Sequence, residues 1–146
     1  MLSRRKALPL FAAAPVFAVM PAHAQADPAA ALKGGRWELR TVNGAPAAKG
    51  AGDQAPWLQF DPPRFSGFAG CNRVMGSFTI NGDRFGFGPD MATTKMFCVD
   101  HMEVERRFMA ALGQVREWRL TGDELALFGR PTMLVFVRTA EPARRP

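Results

Sequence analysis

Cys71 and Cys98 are the only two cysteines in the chain, and such a pair offers three kinds of chemistry. In an oxidising compartment the two close a disulfide. Bridging a loop of about 28 residues stabilises a fold by about 3.5 kcal/mol on a chain-entropy account, less any strain. A redox couple is the second option, with Cys98 activated by the N-terminus of a helix expected just after it. Two separate buried thiols are the third. The same stretch is rich in soft donors, because Met91, Met96, Cys98, His101 and Met102 fall within about a dozen residues. Thioether and thiolate sulfur select Cu(I), so this cluster is the candidate metal site. Against copper, methionine commonly fills irregular core gaps, and a disulfide would remove the Cys98 thiolate. We expect neither a resident metal nor another cofactor.

Polar side chains flank both cysteines. Asn72 and the pair Thr93 and Thr94 would suit a ligand site, but such residues also bond the backbone of turns, which is the reading we favour. His101 is the sole histidine beyond the N-terminal leader, with no aspartate or nucleophile beside it in the sequence. A lone histidine is weak evidence for acid–base catalysis. The chain has no Gly-x-Ser-x-Gly, no His-Glu-x-x-His and no phosphate loop, so nothing in it motivates an enzyme.

The elements that must hold these residues are mostly strands. Gly (14), Pro (12) and Phe (12) are abundant, and turn-formers among aromatics favour short strands. Trp37 and Leu39 alternate with Arg36, Glu38 and Arg40 up to Asn43-Gly44, and Trp57 to Phe60 is a second strand ended by Pro62-Pro63. Ala45 to Ala55 is small and polar and predicts a loop. A two-residue turn at Asn81-Gly82 would set Phe78 opposite Phe85 and Gly76 opposite Phe87. A turn at Gly122-Asp123 sets Leu120 opposite Leu125 and Trp118 opposite Leu127, with Glu117, Arg119 and Glu124 on the other face. Met133 to Val137 is nearly all apolar and predicts a strand buried on both sides. One helix is expected, with Asp100 as N-cap, Glu103 closing a capping box and Gly113 ending it. Val104, Phe108, Ala111 and Leu112 share its buried face, and Glu105, Arg106 and Arg107 point outward.

The first residues are not fold sequence. Arg4, Arg5 and Lys6 precede an uncharged apolar stretch, Ala7 to Met20, and Ala22-His23-Ala24 supplies a small-x-small cleavage pattern. Residues 1–24 therefore form a signal peptide, through either the Sec or the twin-arginine route. The apolar run is shorter than the ~20 residues a membrane span needs, so no transmembrane segment is expected after cleavage. No cysteine lies near the cleavage site, which argues against a lipid anchor. Residues 25–34 are expected as a flexible leader, 35–139 as one domain and 140–146 as a disordered tail. The formal charge of +6 falls to +3 once the leader's three basic residues are removed. Nucleic-acid binding needs a clustered basic face with stacking aromatics, which the mature chain does not display.

Two segments resemble the META/HslJ family. Gly70-Cys71-Asn72 matches its Gly-Cys-Asn motif, with Gly76 and Phe78 at the following spacing. Thr93-Thr94-Lys95-Met96-Phe97-Cys98 matches its Thr-Thr-Lys/Arg-Met-Ala-Cys motif, with Phe97 in place of a small residue. The resemblance spans about Gly35 to Val137. It implies an α+β, mainly β fold: an antiparallel, barrel-like sheet of about seven or eight short strands with one helix packed on it. It also implies an exported, non-enzymatic protein of the periplasm or the medium, linked to heat shock and novobiocin-type tolerance. The family has no established catalytic residues to carry over. We therefore expect a monomer that contacts an envelope protein or a small ligand. A small apolar ligand held inside the barrel, motivated by the Phe and Met excess, and Cu(I) binding are the alternatives. Cys71→Ser and Cys98→Ser should each lower the urea midpoint to a similar extent, with the double variant adding little. Additive losses would exclude a shared bond.

Overall fold

The computed structural model describes residues 7–22 and 26–140. The basic triplet Arg4 to Lys6, the expected cleavage position at Ala24 and tail residues 141–146 lie outside the described residues. Residues 7–22 are exposed and carry no regular secondary structure. No helix among the described residues is long and apolar enough to cross a membrane.

The domain is a ring of antiparallel strands with side chains alternating inward and outward. Strand β1 (Arg36–Val42) buries Trp37 and Leu39 and turns at Asn43-Gly44 into the short β2 (Ala45–Pro46). Both turn residues have positive φ, 50° and 81°, as a type I′ turn requires. Strands β3 (Trp57–Asp61) and β4 (Arg64–Phe68) form the next hairpin. The long β5 (Arg73–Asn81) pairs with β4 along its first half and with β6 (Arg84–Phe87) along its second. A two-residue strand, β7 (Ala92–Thr93), lies beside Val74 and Met75 of β5. Helix α1 (Met102–Gln114) then leads to β8 (Glu117–Thr121), β9 (Glu124–Phe128) and β10 (Met133–Thr139). Pairing of β10 with both β9 and β1 closes the ring. Its thinnest seam is β6 to β8, where Arg84 and Glu117 are the paired residues. The indole N–H of Trp118 crosses that seam to the carbonyl of Gly82 at 2.8 Å.

The interior is filled by rings. Phe60, Phe65, Phe78, Phe85 and Phe87, from four adjacent strands, meet with centroid separations of 4.8 to 6.1 Å, mostly edge to face. That geometry satisfies the ring quadrupoles while removing large apolar areas from water. The helix adds Phe108, Ala111 and Leu112 to the same core. Much of the Phe content is thus core packing.

Several local expectations need correction. The β5–β6 turn is Gly82-Asp83 rather than Asn81-Gly82, so Phe78 faces Phe87 and Gly76 faces Phe65. Among these turn residues only Gly82 has positive φ, at 61°, and Asn81 stays in the strand. The slip is two residues, which leaves every side chain on its expected face. The Gly122-Asp123 hairpin has the expected register. β10 is not buried on both sides: Leu134 and Phe136 point inward, while Met133 is exposed. A single-layered ring has only one interior face. The helix begins at Met102 after His101, without a side-chain cap, and Asp100 takes a left-handed φ of 67°. Glu103 pairs with Arg106 and Arg107 instead of closing a box. Gly113 remains helical, and the stop comes where Val115 turns into the core.

The segment expected as a flexible leader is also built into the fold. Pro28–Leu32 form a 3-10 helix, and Leu32 is wholly buried. The indole N–H of buried Trp37 donates to the Leu32 carbonyl at 3.0 Å. Arg138 of β10 donates to the carbonyls of Ala31, Lys33 and Gly34, and its guanidinium lies 4.4 Å from the Trp37 ring centre. One arginine thus ties the incoming chain to the closing strand. Leu32→Ala should cost about 3 kcal/mol in urea unfolding, as for other buried leucines. A loss under about 1 kcal/mol would mean that the segment is peripheral.

Candidate functional site

The two motif segments converge on one side chain. Asn72 is only 2% exposed, and its backbone N–H donates to Glu105 Oε1 at 2.6 Å. Its side-chain Nδ2 donates to Glu105 Oε2 at 2.9 Å and to the Met96 carbonyl at 3.0 Å. Its Oδ1 accepts from the Met96 N–H at 2.6 Å and from the Thr94 hydroxyl at 2.9 Å. The Thr94 hydroxyl in turn accepts from the Arg73 N–H at 3.0 Å. The amide of Asn72 therefore has both donors and its acceptor engaged, joining the segment just before β5 to the loop after β7 and to helix α1.

Glu105 was expected to point into solvent, yet it is 8% exposed and faces Asn72. A buried carboxylate is costly unless several donors hold it, and here both oxygens are held. Gly70 brings the partners together. Its φ is 120°, and a Cβ there would sit 2.9 Å from Val104 Cγ1 and 3.1 Å from the Glu105 nitrogen. Any other residue at this position would push the loop away from the helix.

Beside this hub, Cys71 and Cys98 stand at bonding distance, with Sγ atoms 2.04 Å and Cα atoms 5.8 Å apart. The loop they clamp exposes apolar side chains: Met96 is 58%, Phe97 80% and Val99 70% exposed. Of the candidate copper ligands, Cys98 sulfur is engaged with Cys71, and Met102 Sδ lies 3.5 Å from the Cys98 nitrogen. Met91 packs against the core, its backbone over Gly76, while Met96 faces outward. His101 precedes the helix and is half-buried. Thr93 lies in β7 opposite Val74.

Further groups escaped the sequence-based expectations. Trp57 is buried on the outer side of β3, with the guanidinium carbons of Arg36 and Arg73 at 3.8 and 5.3 Å from its ring centre. Contacts of this kind contribute about 0.5–1 kcal/mol at exposed sites. Asp90 accepts from the Ser77 hydroxyl at 2.6 Å and the Ser77 N–H at 3.1 Å, with Arg64 beside it. Those bonds, the hydroxyl first, hold the Asp90 carboxyl below its ordinary value and pin the loop between β6 and β7.

The META domain model matches residues 30–141. The chain belongs to the META domain family. No curated protein matches it. Among solved structures, an NMR structure of a protein from Burkholderia xenovorans is similar, with 24% identity and a TM-score of 0.62 over 92% of this chain and 100% of that one. A second NMR structure is 23% identical, with a TM-score of 0.60 over 75% of this chain and 93% of that one. A crystal structure of a DUF4847 family protein from Bacteroides vulgatus is 12% identical, with a TM-score of 0.52 over 75% and 96%. At these identities the likeness is one of fold.

Within the META domain, the hub's chemistry is that of a latch. Asn72 has both amide hydrogens and its amide oxygen engaged, and each Glu105 oxygen accepts one bond from it. Asn72→Ala would strand a buried carboxylate and should cost about 3 kcal/mol or more. Glu105→Gln keeps an acceptor for the Asn72 N–H and should cost roughly half as much. Equal and small losses in urea unfolding would show that the hub does not hold the fold.

Proposed function

We propose that this META domain protein is exported and acts outside the cytoplasm as a non-catalytic binding module. In this role it contributes to envelope stress or antibiotic tolerance by contacting an envelope partner. The observation that carries the proposal is the loop at residues 96–99. Three large apolar side chains face water there, on a backbone held by Asn72 and by the cysteine pair. Contiguous apolar exposure is unfavourable in an isolated soluble protein and marks contact surfaces. A loop already fixed in place loses little further entropy on binding, which favours affinity. Phe97, the departure from the small residue of the family motif, is the most exposed of the three and is the anchor of the contact.

Export is supported by the leader's basic, apolar and small-residue order and by the juxtaposed cysteines, which suit an oxidising compartment. The non-catalytic reading is supported by the engagement of every Asn72 amide group and of both sulfurs. In a strain lacking the gene, the Phe97→Ser, Val99→Ser double variant should reach the periplasm at the wild-type level with unchanged thermal stability. It should fail to restore heat or novobiocin tolerance. Full restoration would remove the loop from the mechanism, and unchanged tolerance in the deletion strain would remove the stress role itself.

A further inference from the structure

A second feature lies on another part of the surface and uses none of the loop residues 96–99. Between α1 and the β1–β2 edge runs a cleft of about 270 Å³. That is slightly below the roughly 300–1,000 Å³ typical of pockets for drug-sized ligands. Leu39, Val42, Leu134 and Phe108 line it from the core side, and Ala48 and Pro46 from the β2 side. Every lining residue is apolar except Glu103 and Arg107, which stand one helical turn apart on α1.

The charges at this edge are unbalanced. Glu103 Oε1 accepts from Arg107 Nε at 2.6 Å, and Glu103 Oε2 pairs with Arg106. One carboxylate is shared by two guanidinium groups, so the trio carries one net positive charge, with Arg106 beside the cleft rather than in its lining. The Arg107 side chain is 80% exposed and is bound to Glu103 through Nε, which leaves the guanidinium edge formed by the two terminal nitrogens outside that bond. A planar guanidinium with such an outer edge is suited to a carboxylate, sulfonate or phosphate.

We propose that this cleft binds a small anionic amphiphile, with a single apolar chain laid between α1 and β2 and its acidic head on Arg107. The apolar lining excludes polar ligands, because a buried polar group would find no partner there. The unbalanced arginines select the sign of the head. The site is independent of the partner contact at the loop, so either can fail without the other.

Decanoate is a suitable probe, titrated into the full-length chain with binding followed by amide chemical shifts. Saturable, one-to-one shifts at residues 39–48 and 103–111 are expected. Decanol should bind about tenfold more weakly and decyltrimethylammonium more weakly still, while butyrate should not bind in the same range. Arg107→Glu, at an exposed position, should weaken decanoate at least tenfold and leave decanol unchanged. Ala48→Trp, also at an exposed position, should block both by filling the cleft. Three results would overturn the proposal: no saturation by decanoate, equal affinity of the acid and the ammonium compound, or a cleft already occupied by the chain's own residues 7–20.

Discussion

A single buried amide holds together parts of this chain that have no other reason to meet. Asn72 bonds at once to a helix carboxylate, to both backbone groups of Met96 and to a threonine hydroxyl. In a low-dielectric site such bonds strengthen one another, and the same environment makes a missing partner costly. The loop before α1 thus has a fixed position without belonging to a strand or a helix. The cysteine pair lies one residue away, so the covalent and hydrogen-bonded restraints act on the same short length of backbone.

The restraint also explains an otherwise unfavourable surface. A loop carrying Met96, Phe97 and Val99 would, if free, fold its side chains against the protein. Here Asn72 holds Met96 by its backbone and Cys98 is tied down two residues later, which fixes the backbone on both sides of Phe97 and next to Val99. The latch and the exposed apolar face are two consequences of one set of bonds. The amphiphile cleft is related through the same helix, since Glu105 fixes α1 to Asn72, just before β5, while Glu103 and Arg107 line the cleft.

The ring itself rests on a different contact. Strands alone leave an open end near the start of β1, and Leu32 fills it, with Trp37 and Arg138 bonding the backbone on either side. Arg138 lies over an aromatic ring while its terminal nitrogens reach three carbonyls, a use suited to a planar, multiply donating guanidinium. The domain therefore begins with the 3-10 turn, ahead of its first strand.

Period and turn chemistry were readable from the chain, because they are local. Alternation at Trp37 and Leu39, the Gly122-Asp123 register and the stripe of Phe108, Ala111 and Leu112 all follow from side-chain spacing. The Gly82-Asp83 turn repeats the Gly-Asp pattern of the later hairpin, so the misplaced register was legible by comparison of the two. Glu105 also left a trace, lying three and seven residues before Phe108 and Leu112 on the same stripe. Its role was not legible, because an acid on an apolar face is tolerable only with donors in place, and Asn72 lies 33 residues away. The motif cysteines and Asn72 were visible as residues with chemistry. Only tertiary structure decided that Asn72 serves the fold, that Leu32 is core and that the apolar cleft lies between α1 and the β1–β2 edge. Each depends on long-range contacts, and no property of a short window encodes which distant group will supply a donor, an acceptor or a wall.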